Sequence, residues 1–137
     1  MDLRSIFVSA HSGIRWIVVL LGIIALLRFL IGWLRGDEYG DLETTIWKAL
    51  NMTVTLQFVL GVIVLIWGAV SSFGSAWLQV AGEHAFINII AIAILGMASS
   101  RARKGTVDKQ RFMTSAIGVI VAAILIFIAV GRVSGWS

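Results

Sequence analysis

The chain is 137 residues long, 59% hydrophobic and only 13% charged, with a formal net charge of +4 and a mean hydropathy of +0.98. A soluble domain of this size could not cover its surface with so few charges, so that class is excluded. Cysteine is absent, which excludes disulfides, thiolate ligands, iron–sulfur clusters and c-type haem attachment.

Four apolar blocks follow in chain order, each long enough to cross a hydrocarbon core of about 30 Å, which takes roughly 20 helical residues. They run 14–34, 46–70, 82–100 and 112–131. Near-continuous apolar runs, without the alternation of barrel strands, predict helices. Proline is absent, so no proline kink is expected. Connections of roughly 11 residues predict antiparallel neighbours. The fold class expected is all-α: an integral membrane four-helix transmembrane bundle, up-down-up-down, occupying 1–137 as a single transmembrane domain. The start Met1-Asp2-Leu3-Arg4 does not read as a signal peptide, and the first block is expected to remain as a transmembrane helix.

Block one opens Ala10-His11-Ser12-Gly13-Ile14-Arg15-Trp16. His11 and Arg15 are four apart and share a face, which Gly22 continues. Arg28, near the other end, is expected to snorkel to the membrane surface. Block two carries Asn51, Thr53, Thr55 and Gln57, placed by position in its cytoplasmic half. Interhelical hydrogen bonds, at about 0.6 kcal/mol each on average, are the expected role, with contact to a quinone headgroup as the alternative. Block three opens Gly82-Glu83-His84, with Asn88 one turn on and Ala91 and Leu95 continuing the face. Block four offers Thr114, Ser115, Gly118, Ala122 and Ala123 as a packing surface.

The positive charges report topology. Arg101, Arg103, Lys104, Lys109 and Arg111 crowd the third connection, and Arg35 and Lys48 flank the first. The positive-inside rule then places both in the cytoplasm and both termini on the non-cytoplasmic side. Trp33 and Trp47 are expected at the cytoplasmic boundary, and Trp16, Trp67, Trp77 and Trp136 at the outer one, as an aromatic belt. Lipid headgroups suit the basic third loop, and with no soluble module to present those residues no nucleic-acid partner is expected.

His11 and His84, the two histidines of the chain, thus fall at one depth on the first and third helices. Two imidazoles can hold a haem iron axially, with Arg15 set against a propionate and Asn88 beside His84. A single histidine can instead ligate a (bacterio)chlorophyll or hydrogen-bond a quinone carbonyl. The same residues also suit a purely structural cluster in which Arg15 pairs with Glu83 between helices one and three. No carboxylate pair, nucleophile with a base, or phosphate-cradling loop is present, so no catalytic residue is assigned.

The string His11-Ser12-Gly13-Ile14-Arg15-Trp16, the Glu83-His84 opening and the closing Arg101-Ala102-Arg103-Lys104 resemble a family of small four-helix bacterial membrane proteins commonly labelled cytochrome-b-like. The resemblance implies electron transport with haem b or quinone. It departs from the cytochrome b561 pattern, which needs four haem-ligating histidines, so at most one bis-histidine haem is expected. The expected role is a subunit of a respiratory or photosynthetic electron-transport complex in the bacterial inner membrane, partnered by other membrane subunits and lipid. Such a chain is not an enzyme alone but part of a quinol-oxidising assembly. The alternatives are a cofactor-free accessory subunit and, ranked below it for want of broken helices and midplane carboxylates, a small transporter or channel.

Overall fold

The computed structural model describes residues 2–70 and 74–133, with 75, 132 and 133 as backbone only. Four α-helices follow one another: α1 (Leu3–Arg35), α2 (Asp41–Val70), α3 (Ser75–Lys104) and α4 (Asp108–Val133). They form an all-α four-helix bundle, and all four are long and apolar enough to cross a membrane.

The helices overrun the apolar blocks, because backbone bonding continues past the point where side chains turn polar. Helix α1 starts at Leu3, where Asp2 caps it by accepting the Ser5 N–H at 2.8 Å. The Ser5 hydroxyl and N–H together hold the Asp2 carboxyl below the ordinary aspartate value. Helix α1 ends at Gly36, which sits at φ 70°, a left-handed conformation that costs a glycine little. The N–H groups of Gly36 and Asp37 both reach the Gly32 carbonyl, which closes the turn. The connection to α2 is therefore only residues 36–40, and that from α3 to α4 only 105–107. The longer expected connections are replaced by helix.

Around the bundle, α1 and α3 each pack against both α2 and α4, so α1 and α3 face one another across a diagonal. Contacts in successive helices run in opposite order. His11 meets Gly61 while Arg28 meets Glu43. Trp77 meets Gly68 while Ser99 meets Asn51. His84 meets Ala129 while Ala98 meets Gly118. The short connections 36–40 and 105–107 therefore lie at one end, here the loop end. His11, Gly61, His84 and Ala129 lie toward the other, here the terminal end.

The core is concentrated at the loop end. Phe29 and Phe112 are fully buried, and Trp47 stacks on Phe29 at 5.3 Å between ring centres. Tyr39, from the connection, closes over them, 6.5 Å from Phe29 and 5.1 Å from Phe112. Gly32 is required here, since a methyl group would enter the Phe112 ring. Buried Ser115 accepts the Trp47 indole N–H at 3.0 Å and shares a 3.4 Å hydrogen bond with the Tyr39 hydroxyl. Desolvation pushes the Tyr39 phenol above the ordinary tyrosine value.

One expectation is corrected at this end. Trp47 is only 4% exposed and belongs to the core instead of the aromatic belt, because its N–H finds Ser115 inside the bundle. Arg28 extends toward the loop end, where it finds partners within the fold. It turns to Asp37 at 2.9 Å and to Glu43 at 3.3 Å, and its guanidinium lies 5.2 Å from the Phe112 ring centre. Glu43 is 2% exposed and also accepts the Gly40 N–H at 2.8 Å. A carboxylate so buried must be paired and hydrogen-bonded, and Arg28 supplies the charge. Arg111 completes the lock. It donates to the Ala102 carbonyl at 2.7 Å, satisfying an acceptor in the last turn of α3, and lies 4.3 Å over the Tyr39 ring.

The expected interhelical role of α2's polar run holds for Asn51, which donates to Ser99 on α3 at 3.2 Å. Thr53 instead bonds the Ala49 carbonyl of its own helix. On α4, Ser115, Gly118 and Ala122 are buried as expected of a packing surface, whereas Ala123 is exposed. Trp16 is 52% exposed, as a belt residue should be, and Trp136 lies outside the described residues.

Candidate functional site

Toward the terminal end the same four helices enclose a cavity of about 300 Å³. That lies at the lower bound of the roughly 300–1,000 Å³ usual for small-molecule and cofactor sites. His11 and Arg15 enter from α1, Gln57 and Gly61 from α2, and His84 and Asn88 from α3. Ile126 and Val130 of α4 add apolar wall. All four residues singled out in the sequence, His11, Arg15, His84 and Asn88, line this one space.

His11 lies in the third turn of α1, well inside the helix, because α1 begins at Leu3. Its Nδ1 is 3.2 Å from the Gln57 main-chain oxygen. His84 Nδ1 is 2.8 Å from the Ala129 main-chain oxygen. A carbonyl oxygen can only accept, so in both rings Nδ1 carries the hydrogen and donates. In the neutral imidazole the other nitrogen, Nε2, then holds a lone pair. This second-sphere arrangement fixes tautomer and ring orientation in histidines that bind a metal. Helical carbonyls at Gln57 and Ala129 are able to serve because a carbonyl has two acceptor sites and the helix uses one.

The two imidazole ring centres are 6.5 Å apart, with planes at 81°. Two imidazoles bonded to opposite sides of one metal at about 2.0–2.1 Å per bond have ring centres about 6.5 Å apart. The observed separation matches that spacing. Among the described residues no group of three or more His, Asp or Glu side chains converges to hold a metal ion.

Asn88 donates to the His84 main-chain oxygen at 2.9 Å, so its amide is steadied from within α3. The Arg15 guanidinium stands 5.1 Å from the Trp16 ring centre. Three cavity residues, Arg4, Gln57 and Gly61, stand outside the site set expected from the sequence. Arg4 lines the cavity from the first turns of α1, on the face shared by His11 and Arg15. Gln57 contributes more than its main-chain oxygen. Its side-chain Oε1 is buried and has no hydrogen-bond partner among the described residues. A buried acceptor is normally satisfied by protein, water or ligand. Gly61 lies one turn further along α2, and a methyl group there would stand 3.0 Å from His11 Cε1.

No family model, no curated protein and no solved structure matches the chain.

Proposed function

We propose that the chain is a membrane electron-transfer subunit that holds one b-type haem between His11 and His84. The observation that carries this reading is the imidazole pair: 6.5 Å between ring centres, inside a cavity, with both Nδ1 atoms committed to main-chain carbonyls. A bare metal ion would gain only two protein ligands from this pair, with no third His, Asp or Glu grouped beside them among the described residues. A haem brings its own equatorial nitrogens and asks the protein for two axial ones. The orphaned Gln57 Oε1 and the open volume also favour an occupant. On this reading His11 and His84 supply the axial nitrogens. Arg4, on the terminal side of His11 along α1, and Arg15, one turn to its loop side, line the same space and would supply positive charge for propionates. Apolar residues such as Val18, Ile92 and Ile126 keep water from the macrocycle. When bound, the group supplies one-electron exchange.

The resemblance to cytochrome-b-like chains agrees with this role. So does a place in the bacterial inner membrane, with the basic connection 101–111 in the cytoplasm and the cavity toward the outer side. The partners would be other membrane subunits and lipid. The test is a visible spectrum of the detergent-purified protein before and after dithionite, with a pyridine haemochrome assay. Reduced b-type bands are expected, and they should vanish in a His11→Ala, His84→Ala double mutant. A wild type without haem, or a double mutant that keeps it, would sink the reading.

A second reading has its own support. Gln57 Oε1 needs a donor, and a quinol hydroxyl in the same cavity would provide one. It becomes the better account if the purified chain carries quinone and no haem. A double mutant that assembles with normal turnover of the host complex would favour the cofactor-free accessory role.

A further inference from the structure

The imidazole planes cross at 81°, and the contacts that set each plane lie on different helices. We infer that the site is built to hold crosswise axial imidazoles, and that Gly61 is the positioning residue that sets the azimuth of His11. This rests on the haem reading above and adds an electronic consequence to it.

Each ring is fixed by a contact outside its own helix. His84 is tied to α4 through the Ala129 carbonyl at 2.8 Å. His11 is tied to α2 twice, through the Gln57 carbonyl at 3.2 Å and through its close flank on Gly61. A methyl at position 61 would lie 3.0 Å from Cε1, 3.5 Å from Nδ1 and 3.7 Å from Nε2. It would press on the edge of the ring that holds the hydrogen bond. The ring would have to give by a few tenths of an ångström, and turning about its Cβ–Cγ bond is the soft way to do so. What the glycine provides here is close approach, since α2 is regular helix there and needs no unusual φ.

The consequence follows from the symmetry of metal–ligand overlap. An axial imidazole donates π density mainly in the direction perpendicular to its plane. Two parallel rings donate into the same metal d orbital and split it from its partner. Two crossed rings raise both partners together and leave them nearly degenerate. A low-spin ferric centre with near-degenerate orbitals gives one strongly shifted, highly anisotropic low-field resonance. With parallel rings it gives the ordinary three-feature rhombic spectrum. The protein controls this through the hydrogen bonds and packing of its axial ligands, one of its levers on a haem.

The experiment is low-temperature electron paramagnetic resonance of the oxidised, detergent-purified full chain, with haem content measured in parallel. The wild type is expected to show the single highly anisotropic low-field feature. Gly61→Ala is expected to keep its haem and shift that feature. Gly96→Ala is the control, because a methyl there meets open space and should leave the feature in place. A rhombic three-feature wild-type spectrum would overturn the crosswise geometry while leaving the haem assignment intact. An unchanged feature in haem-loaded Gly61→Ala would overturn the role of Gly61. Absence of any low-spin ferric signal together with absence of haem would overturn the parent reading, and this inference with it. The wild-type spectrum stands by itself if the alanine variant fails to fold.

Discussion

At the loop end, Phe29, Tyr39, Trp47 and Phe112 stack ring on ring about Ser115, whereas at the terminal end the same four helices leave a cavity lined by two imidazoles. Both ends contain polar groups inside the bundle, and they treat them in opposite ways. At the loop end the buried polar side chains find partners within the protein: Glu43 with Arg28 and Gly40, Ser115 with Trp47 and Tyr39. At the terminal end, among the described residues, Gln57 Oε1 is left without one, and each imidazole donates through Nδ1 to a main-chain carbonyl. A closed network rigidifies; an incomplete one invites an occupant. In a membrane, where association of helices relies on packing and hydrogen bonds instead of water exclusion, the packed end is what holds the bundle together.

The comparison breaks most easily at Arg28. Arg28→Leu leaves the Glu43 carboxylate buried beside a neutral side chain, and such a loss costs about 3–5 kcal/mol. It should appear in detergent-denaturant unfolding followed by circular dichroism. A change under about 1 kcal/mol would mean that the loop end is not the anchor. Phe112→Ala empties the ring stack and is expected to cost about 3 kcal/mol in the same assay. By contrast His11→Ala removes one hydrogen bond beside a space that is already open, so a stability loss of about 1 kcal/mol is expected. If the histidine variant proved as damaging as Phe112→Ala, the two ends would not differ as described.

The smallest effect sharpens the packed end without mutation. Tyr39 is the one tyrosine of the chain, so alkaline ultraviolet titration reads it alone. Burial favours its neutral phenol, so its midpoint should lie above the ordinary value near 10. The sign follows from linkage. The contribution to stability is complete below the unfolded-state value and is lost as pH rises through the higher folded-state value. A midpoint at or below 10 would show that water reaches the ring stack.

The bundle was legible in the sequence because four uninterrupted apolar blocks have one physical solution in lipid, helices with internally satisfied backbones. Helix ends were not, because apolarity marks only the hydrocarbon depth. A helix of 33 residues, α1, is about 50 Å long and outlasts it at both ends. The partners of Arg28 were not legible, because nothing local shows that the 36–40 turn folds Asp37 and Glu43 back onto α1. The histidine pair was legible from its count and from placement on helices one and three. Gln57 and Gly61 were not, although they share a face with Thr53. The polar run of α2 begins at the loop end with Asn51 and climbs one and a half turns, so Gln57 reaches the other half. Arg4 had a usable signal: positions 4, 8, 11 and 15 repeat at helical spacing, and all four line the cavity.

We propose the terminal cavity as a bis-imidazole haem site. The most direct test is to titrate haemin into detergent-solubilised apoprotein and follow the visible spectrum. The account predicts saturation at one haem per chain with a six-coordinate low-spin spectrum, lost in the His11→Ala, His84→Ala variant. Unsaturable uptake, or identical uptake by that variant, would contradict it.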